Sequence, residues 1–303
     1  MDLTIGANPF FWQADAWRGF YDDMAQAPVE RVVLGEWVCS KRLPFYQDRI
    51  PGAIEALLEA GKEVAVTSLA LITLKRERRL SRDLVEAGVA IEVNDLTQLA
   101  YLPAGAEFWV GPLVNTYNEG TLAWLAGRGA SRICLPPELP LTSVTALAAE
   151  GAKRGVAVEV WGHGRLPLAM SGRCYHARLH KRSKDNCQFA CEQDPDGLRV
   201  DTLDGQPFLA MNGVQTLSNS CASMAHQLEV LQQAGVTALR LSPQSGDFAA
   251  LCRDWRARID GGLDGAALAA RLAARHQDMQ LSDGFLTGAR GADWSAATAR
   301  QQA

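Results

Sequence analysis

Short β-rich apolar runs return through this chain, and a helical stretch separates most of them. Leu3–Gly6 opens the series, and residues 31–36 (RVVLGE), 63–68 (EVAVTS), 89–93 (VAIEV), 108–110 (FWV), 132–135 (RICL), 156–161 (VAVEVW) and 238–241 (ALRL) continue it. Each run is short and apolar, as expected of strands buried on both faces. Helical patterns over about residues 12–25 and 52–59 follow the first two strands, and Gly61 closes the second of them. An Ala-Gly pair precedes a strand at Ala60-Gly61, Ala87-Gly88 and Ala234-Gly235. The repeat is a βα unit rather than a solenoid. Eight such strands predict an α/β fold, a TIM-like (β/α)8 barrel. The 303 residues, 48% of them hydrophobic, can bury one large core, so a single barrel domain over 1–303 is expected.

One interval breaks the rhythm. Roughly 75 residues separate the seventh run from the eighth, about twice an ordinary βα unit. Within it, Gly197–Leu203, Pro207–Met211 and Val214–Thr216 alternate in the β manner, divided by the turn pairs Asp204-Gly205 and Asn212-Gly213. This predicts a cysteine loop and a small antiparallel β insert over 165–218, between strands seven and eight. A helix from about Ala222 to Gln233, opened by Cys221, should return the chain to the barrel. Helices near 248–259 and 266–276 follow, and the tail after Ser295 should fray.

The interval also holds the most distinctive chemistry. Ser171–Glu192 reads SGRCYHARLHKRSKDNCQFACE and carries Cys174, Cys187 and Cys191, three of seven cysteines. Twelve residues lie between the first pair and three between the second. No extended apolar face runs through the stretch, and basic side chains fill it. Thiolates on a loop with cations nearby suit a soft metal or an iron–sulfur cluster. A fourth ligand has to come from elsewhere, and Cys39 in GEWVCSKR follows a strand end as Cys174 does. A barrel can bring the two together across 134 intervening residues. Structural zinc is the rival, weakened because the chain has no C-x-x-C pair. Cys134 within a strand and Cys252 on a helix face read as small buried hydrophobes, as does Cys221.

Function in parallel barrels gathers where strands end. Those ends offer Glu36, Lys41 and Arg42; Thr67 and Ser68; Glu92 and Asn94; Asn115 and Tyr117; Glu138; His163, Gly164 and Arg165; Arg240 and Ser242. Glu36, His163 and Arg240 are the catalytic candidates. For Glu36 and Arg240 the plain alternative is a mutual salt bridge, because a buried unpaired charge is costly. His176 and His180 read as solvated side chains of the basic loop. G-x-S-x-G, H-E-x-x-H and P-loop motifs are missing, and no G-x-G-x-x-G follows the first strand. Net charge −4 and a pI near 5.8 weigh against nucleic acid as a partner. The first residues lack a signal-peptide pattern and no run spans a membrane, so a cytoplasmic setting with reduced thiols is expected.

GEWVCSKR, the TSLAL run, NTYN, GHGRLPLAMSGRC, the Cys187/Cys191 pair, NGVQT and RLSPQ together resemble the UbiV family of oxygen-independent ubiquinone-biosynthesis proteins. That family is related to the collagenase-like peptidases, and the likeness runs from LTIGAN to the DGF near residue 285. The resemblance implies a 4Fe–4S cluster on Cys39, Cys174, Cys187 and Cys191. It implies a heterodimer with a UbiU-like sister subunit and a UbiT-like lipid carrier that presents the polyprenylated phenol or quinone precursor. The implied reaction is hydroxylation of the aromatic ring without dioxygen, with prephenate as oxygen donor. Two alternatives stand beside it: a peptidase or RNA-modifying enzyme of the same superfamily, and a zinc-stapled interaction subunit.

Overall fold

A computed structural model describes residues 1–276 and 279–296. Its first seven strands are β1 (Asp2–Ile5), β2 (Arg31–Leu34), β3 (Glu63–Thr67), β4 (Ala90–Val93), β5 (Phe108–Val110), β6 (Ala130–Cys134) and β7 (Ala157–Met170). They pair in sequence order, all parallel. Beyond them lie β8 (Leu198–Asp201), β9 (Pro207–Asn212), β10 (Gln215–Ser223), β11 (Ala238–Leu241) and β12 (Leu281–Ser282). β11 pairs in parallel with both β1 and β7, which closes an eight-stranded barrel. The helices are α1 (Ala14–Gln26), α2 (Ile50–Glu59), α3 (Lys75–Asp83), α4 (Glu119–Ala126), α5 (Leu141–Arg154), α6 (Tyr175–Leu179), α7 (Leu228–Gln233), α8 (Phe248–Ile259) and α9 (Gly265–Arg275).

The helices form because their apolar residues recur at helical spacing. In α1, Trp17, Phe20, Tyr21 and Met24 fall on one buried stripe; in α8, Phe248, Leu251, Cys252 and Trp255 do the same. The strands divide their side chains by alternation. Val32, Leu34, Val64 and Val66 face the helices, while Val33 and Ala65 face the lumen with Trp37, Trp109 and Trp161.

Charged residues fill the rest of the lumen. Arg240 reaches Glu92 at 2.7 Å and Glu159 at 2.8 Å. Thr4 donates to Glu159 at 2.7 Å, and Arg132 lies 3.6 Å from the same carboxylate. Burial opposes the charge of Glu159, but Arg240 and Arg132 outweigh it and hold the carboxyl below its ordinary range. The expected Glu36–Arg240 bridge is therefore corrected. Glu92 and Glu159 project inward from strands that flank or face β11, whereas Glu36 lies past the end of β2 and takes other partners.

The insert departs from expectation in length. β7 does not stop at Trp161 but runs to Met170, and β10 pairs antiparallel with its outer half from His163 onward. The glycines at 162 and 164 read as a strand end, yet they lie inside one continuous strand. The expected helix from Ala222 is shorter: Cys221 sits in β10, and α7 begins at Leu228. Register shifts between Thr216 and Leu217 and between Leu217 and Cys221 break the alternation that would have marked β10 as one strand. β9 and β8 continue the sheet outward, antiparallel. The tail expected to fray lies, from residue 297, outside the described residues.

Candidate metal centre

Cys39 follows β2 on a loop that Glu36 holds in place. Glu36 Oε1 accepts from the backbone N–H of Val38 at 2.7 Å and of Cys39 at 2.9 Å, and Tyr46 donates its hydroxyl to Oε2 at 2.6 Å. Burial pushes the Glu36 carboxyl up, with Arg42, Tyr46 and the two N–H groups pulling it back. Two of its three donors are backbone N–H groups of the Cys39 loop, so this carboxylate positions that loop.

Cys174 stands at the start of α6, its sulfur accepting from the Ala177 N–H at 3.4 Å. Cys187 and Cys191 lie on the turn that follows. Among the described residues, the non-glycine residues with positive φ are Lys181, Gln188 and Phe189, all between Cys174 and Cys191. Strained backbone concentrated in one loop marks a geometry that its surroundings enforce.

The four side chains come together. Cys39, Cys174, Cys187 and Cys191 line one cavity with Lys41, Arg42, Lys184 and the small residues Ala177, Ala190 and Gly213. The cavity itself is small, about 20 Å³. All four are free thiols. Burial pushes the Cys39 and Cys174 thiols up, and Arg42 pulls both the other way. Burial disfavours the charge of Arg42 in turn, but the Cys191 thiolate, Glu36 and the Cys39 thiolate hold its pKa above the ordinary value. Arg42 donates to the Pro9 carbonyl at 2.9 Å and to Asn212 Oδ1 at 2.8 Å, while its buried Nε has no partner. A buried guanidinium held charged by the neighbouring Cys191 and Cys39 thiolates fits an anionic thiolate-ligated group.

The donor set limits which metals fit. A tetrahedral zinc with Zn–S bonds of about 2.3 Å needs thiolates about 3.8 Å apart. Among the described residues, three ligand atoms lie mutually within 4.8 Å in two sets, His163–Cys221–His276 and His176–His180–Asp194, and no three of the four cysteines do so. Four cysteine thiols around one cavity are a donor set for a zinc ion or for a thiolate-ligated iron–sulfur group.

Aromatic residues insulate the cavity. Trp37, Trp109 and Trp161 belong to one apolar cluster with Cys174, against which Cys39 and Cys187 pack. On another side Phe11, Phe45 and Phe189 form a triangle with centroids 4.6–5.7 Å apart.

The remaining candidates fall elsewhere. His163 is fully buried beside Cys221 and His276, outside the cavity lining. Asn94 bonds Thr67 and Ser68, and Arg165 donates to the carbonyls of Ser218 and Asn219. Tyr117 donates to Glu138, and Asn115 is exposed. His176 is corrected: it is buried, not solvated, with Nε2 2.8 Å from Asp194 and its ring stacked on His180. It ties α6 to the turn after Cys191, which makes it and Asp194 supports of the cysteine loop. Sequence reasoning passed over Asp194 and Glu159. A glutamate among the apolar residues of VAVEVW was the available signal for Glu159, since a charge there has to find a partner in the lumen.

The family profile described as peptidase family U32 matches residues 19–295. Among solved structures, a cube-shaped, highly porous protein cage designed by fusing symmetric oligomeric domains is similar at 12% identity, with 92% of this chain and 83% of that chain covered and a TM-score of 0.41. D-psicose 3-epimerase with D-tagatose from Clostridium cellulolyticum is similar at 12% identity, with 92% and 100% covered and a TM-score of 0.32. Likeness this distant bears on neither activity nor site.

Proposed function

We propose, from the premise that this chain belongs to peptidase family U32, that it is the iron–sulfur subunit of a heterodimeric, oxygen-independent hydroxylase. Its substrate is the aromatic ring of ubiquinone precursors, as the likeness to the UbiV family implies. One observation carries the reading: Cys39, Cys174, Cys187 and Cys191 line a single cavity together with the buried Arg42 and with Lys41 and Lys184.

Replacing a ring C–H by C–OH is a two-electron oxidation, so without dioxygen the system needs an oxygen donor, for which the resemblance names prephenate, and an electron acceptor that takes the two electrons removed from the ring. Cys39, Cys174, Cys187 and Cys191 would hold a 4Fe–4S cluster, which would supply one-electron transfer to that acceptor. The protein's own residues do the rest. Glu36 and the His176–Asp194 pair orient the two cysteine loops, Arg42 balances thiolate charge, and the tryptophans keep water from the lumen side. With all four positions taken by cysteine, ring chemistry belongs beside the centre rather than on it. A cavity of about 420 Å³ walled by Phe11, Trp12 and Phe20, with Glu192 next to Cys191, offers a flat aromatic ring a place there. Among the described residues no helix is long and apolar enough to cross a membrane. A polyprenyl tail is too apolar to travel through water alone, which is the part a UbiT-like carrier takes, and a UbiU-like sister subunit completes the enzyme.

The test is genetic and chemical together. In a host grown without oxygen, deleting this chain or substituting Cys39→Ala abolishes ubiquinone and leaves an unhydroxylated polyprenylated precursor, while the aerated culture keeps its quinone. Unchanged ubiquinone in the anaerobic deletion strain overturns the assignment.

A further inference from the structure

A second set of metal-ligating side chains lies in the wall of the barrel, apart from the four-cysteine cavity and independent of the function proposed above. His163 stands on β7, Cys221 on β10 and His276 directly after α9. The first two are fully buried and His276 is half-buried. His163 Nε2 lies 3.1 Å from His276 Nε2 and 3.6 Å from Cys221 Sγ. Gln244 Oε1 lies 3.8 Å from the same sulfur. A tetrahedral centre with bonds of about 2.0 Å to nitrogen and about 2.3 Å to sulfur sets nitrogen–nitrogen edges of about 3.3 Å and nitrogen–sulfur edges of about 3.5 Å. The two edges at His163 Nε2 lie close to those figures; because Sγ is also 3.8 Å from His163 Nδ1, the imidazole has to turn for Nε2 to aim at the ion.

We infer that His163, Cys221 and His276 form a mononuclear site for a divalent transition metal of the zinc class, with the Gln244 side-chain oxygen beside the fourth position. One thiolate, two imidazoles and an amide oxygen make a borderline-soft donor set, which suits zinc and its stand-in cobalt. Cys221 binds as thiolate: the S–H proton leaves to solvent as the sulfur–metal bond forms, and no oxidant or reductant is required. Both histidines bind as neutral imidazoles, the form that burial favours.

The fold makes the site before any metal arrives. Strand pairing brings the first two ligands together, since Ser223 pairs with His163 and Cys221 with Arg165. Cys221 also pairs with Leu281 of β12, which draws the segment after α9 against β10. Metal bound here fastens that C-terminal segment to the barrel. Gln244 also lines the aromatic-walled cavity of about 420 Å³, which gives the ion an approach. The other chemistry open to a close cysteine and histidine, a nucleophilic pair for peptide cleavage, fails on access. Cys221 has no exposure, and burial pushes its thiol up to about 12.

The experiment uses the full chain with the four-cysteine cavity disabled by Cys187→Ser and Cys191→Ser, purified without oxygen and titrated with cobalt(II). The background protein is expected to retain one cobalt per chain, with the ligand-field bands of a tetrahedral ion and a thiolate charge-transfer band. His276→Ala and Cys221→Ser, each checked for folding by circular dichroism, are expected to weaken binding at least about 100-fold, beyond what losing an outer-shell partner costs, and Cys221→Ser to remove the charge-transfer band. A background protein that retains no cobalt, or retention unchanged in folded His276→Ala, overturns the site.

Discussion

At the scale of single residues, the side chains that matter most around the cysteine cavity are the ones that hold its loops. Glu36 is the clearest. Its Oε1 gathers the N–H groups of Val38 and Cys39, and its Oε2 takes the Tyr46 hydroxyl. Glu36→Ala frees the Cys39 loop and is expected to lower metal affinity about 10- to 100-fold, the range for a lost outer-shell partner. Glu36→Gln, which keeps an acceptor oxygen, retains most of it. Iron per chain after dialysis against a chelator measures both. The convergence of the four cysteines was legible because three of them share one loop and a strand end places Cys39 within reach of it. Glu36 was legible as a residue out of place but not as a positioning group, because its partners are backbone N–H groups that no side-chain pattern reports. His176 was misread for a related reason. Its partner Asp194 lies 18 residues on, and only the fold brings the two to 2.8 Å.

At the scale of elements, the eight barrel strands were readable from apolar runs of three to six residues, and the amphipathic stripes of α1 and α8 from their spacing. β7 and β10 were not readable at full length, because glycines interrupt one and register shifts interrupt the other. Their pairing makes Gly164 critical. It has φ +119°, and a methyl group there would lie 2.6 Å from the Cβ of Ser242. Gly164→Ala combines forbidden backbone with a clash against β-carbon and backbone, and is expected to cost about 2–4 kcal/mol. Gly205→Ala, at the tip of the β8–β9 turn, also has positive φ but meets no atom within 4 Å; its expected cost is about 1–2 kcal/mol. Urea unfolding of the two variants side by side measures the difference. Equal costs would mean that β7 does not pass Gly164 as one packed strand.

At the scale of the whole molecule, the barrel separates two kinds of chemistry. Its lumen is occupied by Trp37, Trp109 and Trp161 and by the Arg240–Glu92–Glu159 network, so it offers no open funnel for substrate. The buried pairs stabilise through being complete, since removing one partner strands the other charge. The candidate metal ligands are displaced from the lumen towards the insert formed with β7 and β10, and Cys39 after β2 and His276 after α9 reach them from outside it. The overall barrel could be inferred from the repeat of strand and helix. This displacement could not, because it depends on pairing between residues more than 50 positions apart, such as Cys221 with Arg165. The central claim is that Cys39, Cys174, Cys187 and Cys191 bind one multi-iron group. Its most direct test is iron, acid-labile sulfide and zinc content after anaerobic purification, read with the absorption spectrum, for the wild-type protein and Cys174→Ala. The account predicts about four irons and four sulfides per chain with the brown colour of a thiolate-ligated cluster, all lost in the variant. Iron unchanged in Cys174→Ala, or a colourless protein holding only zinc at the four cysteines, would contradict it.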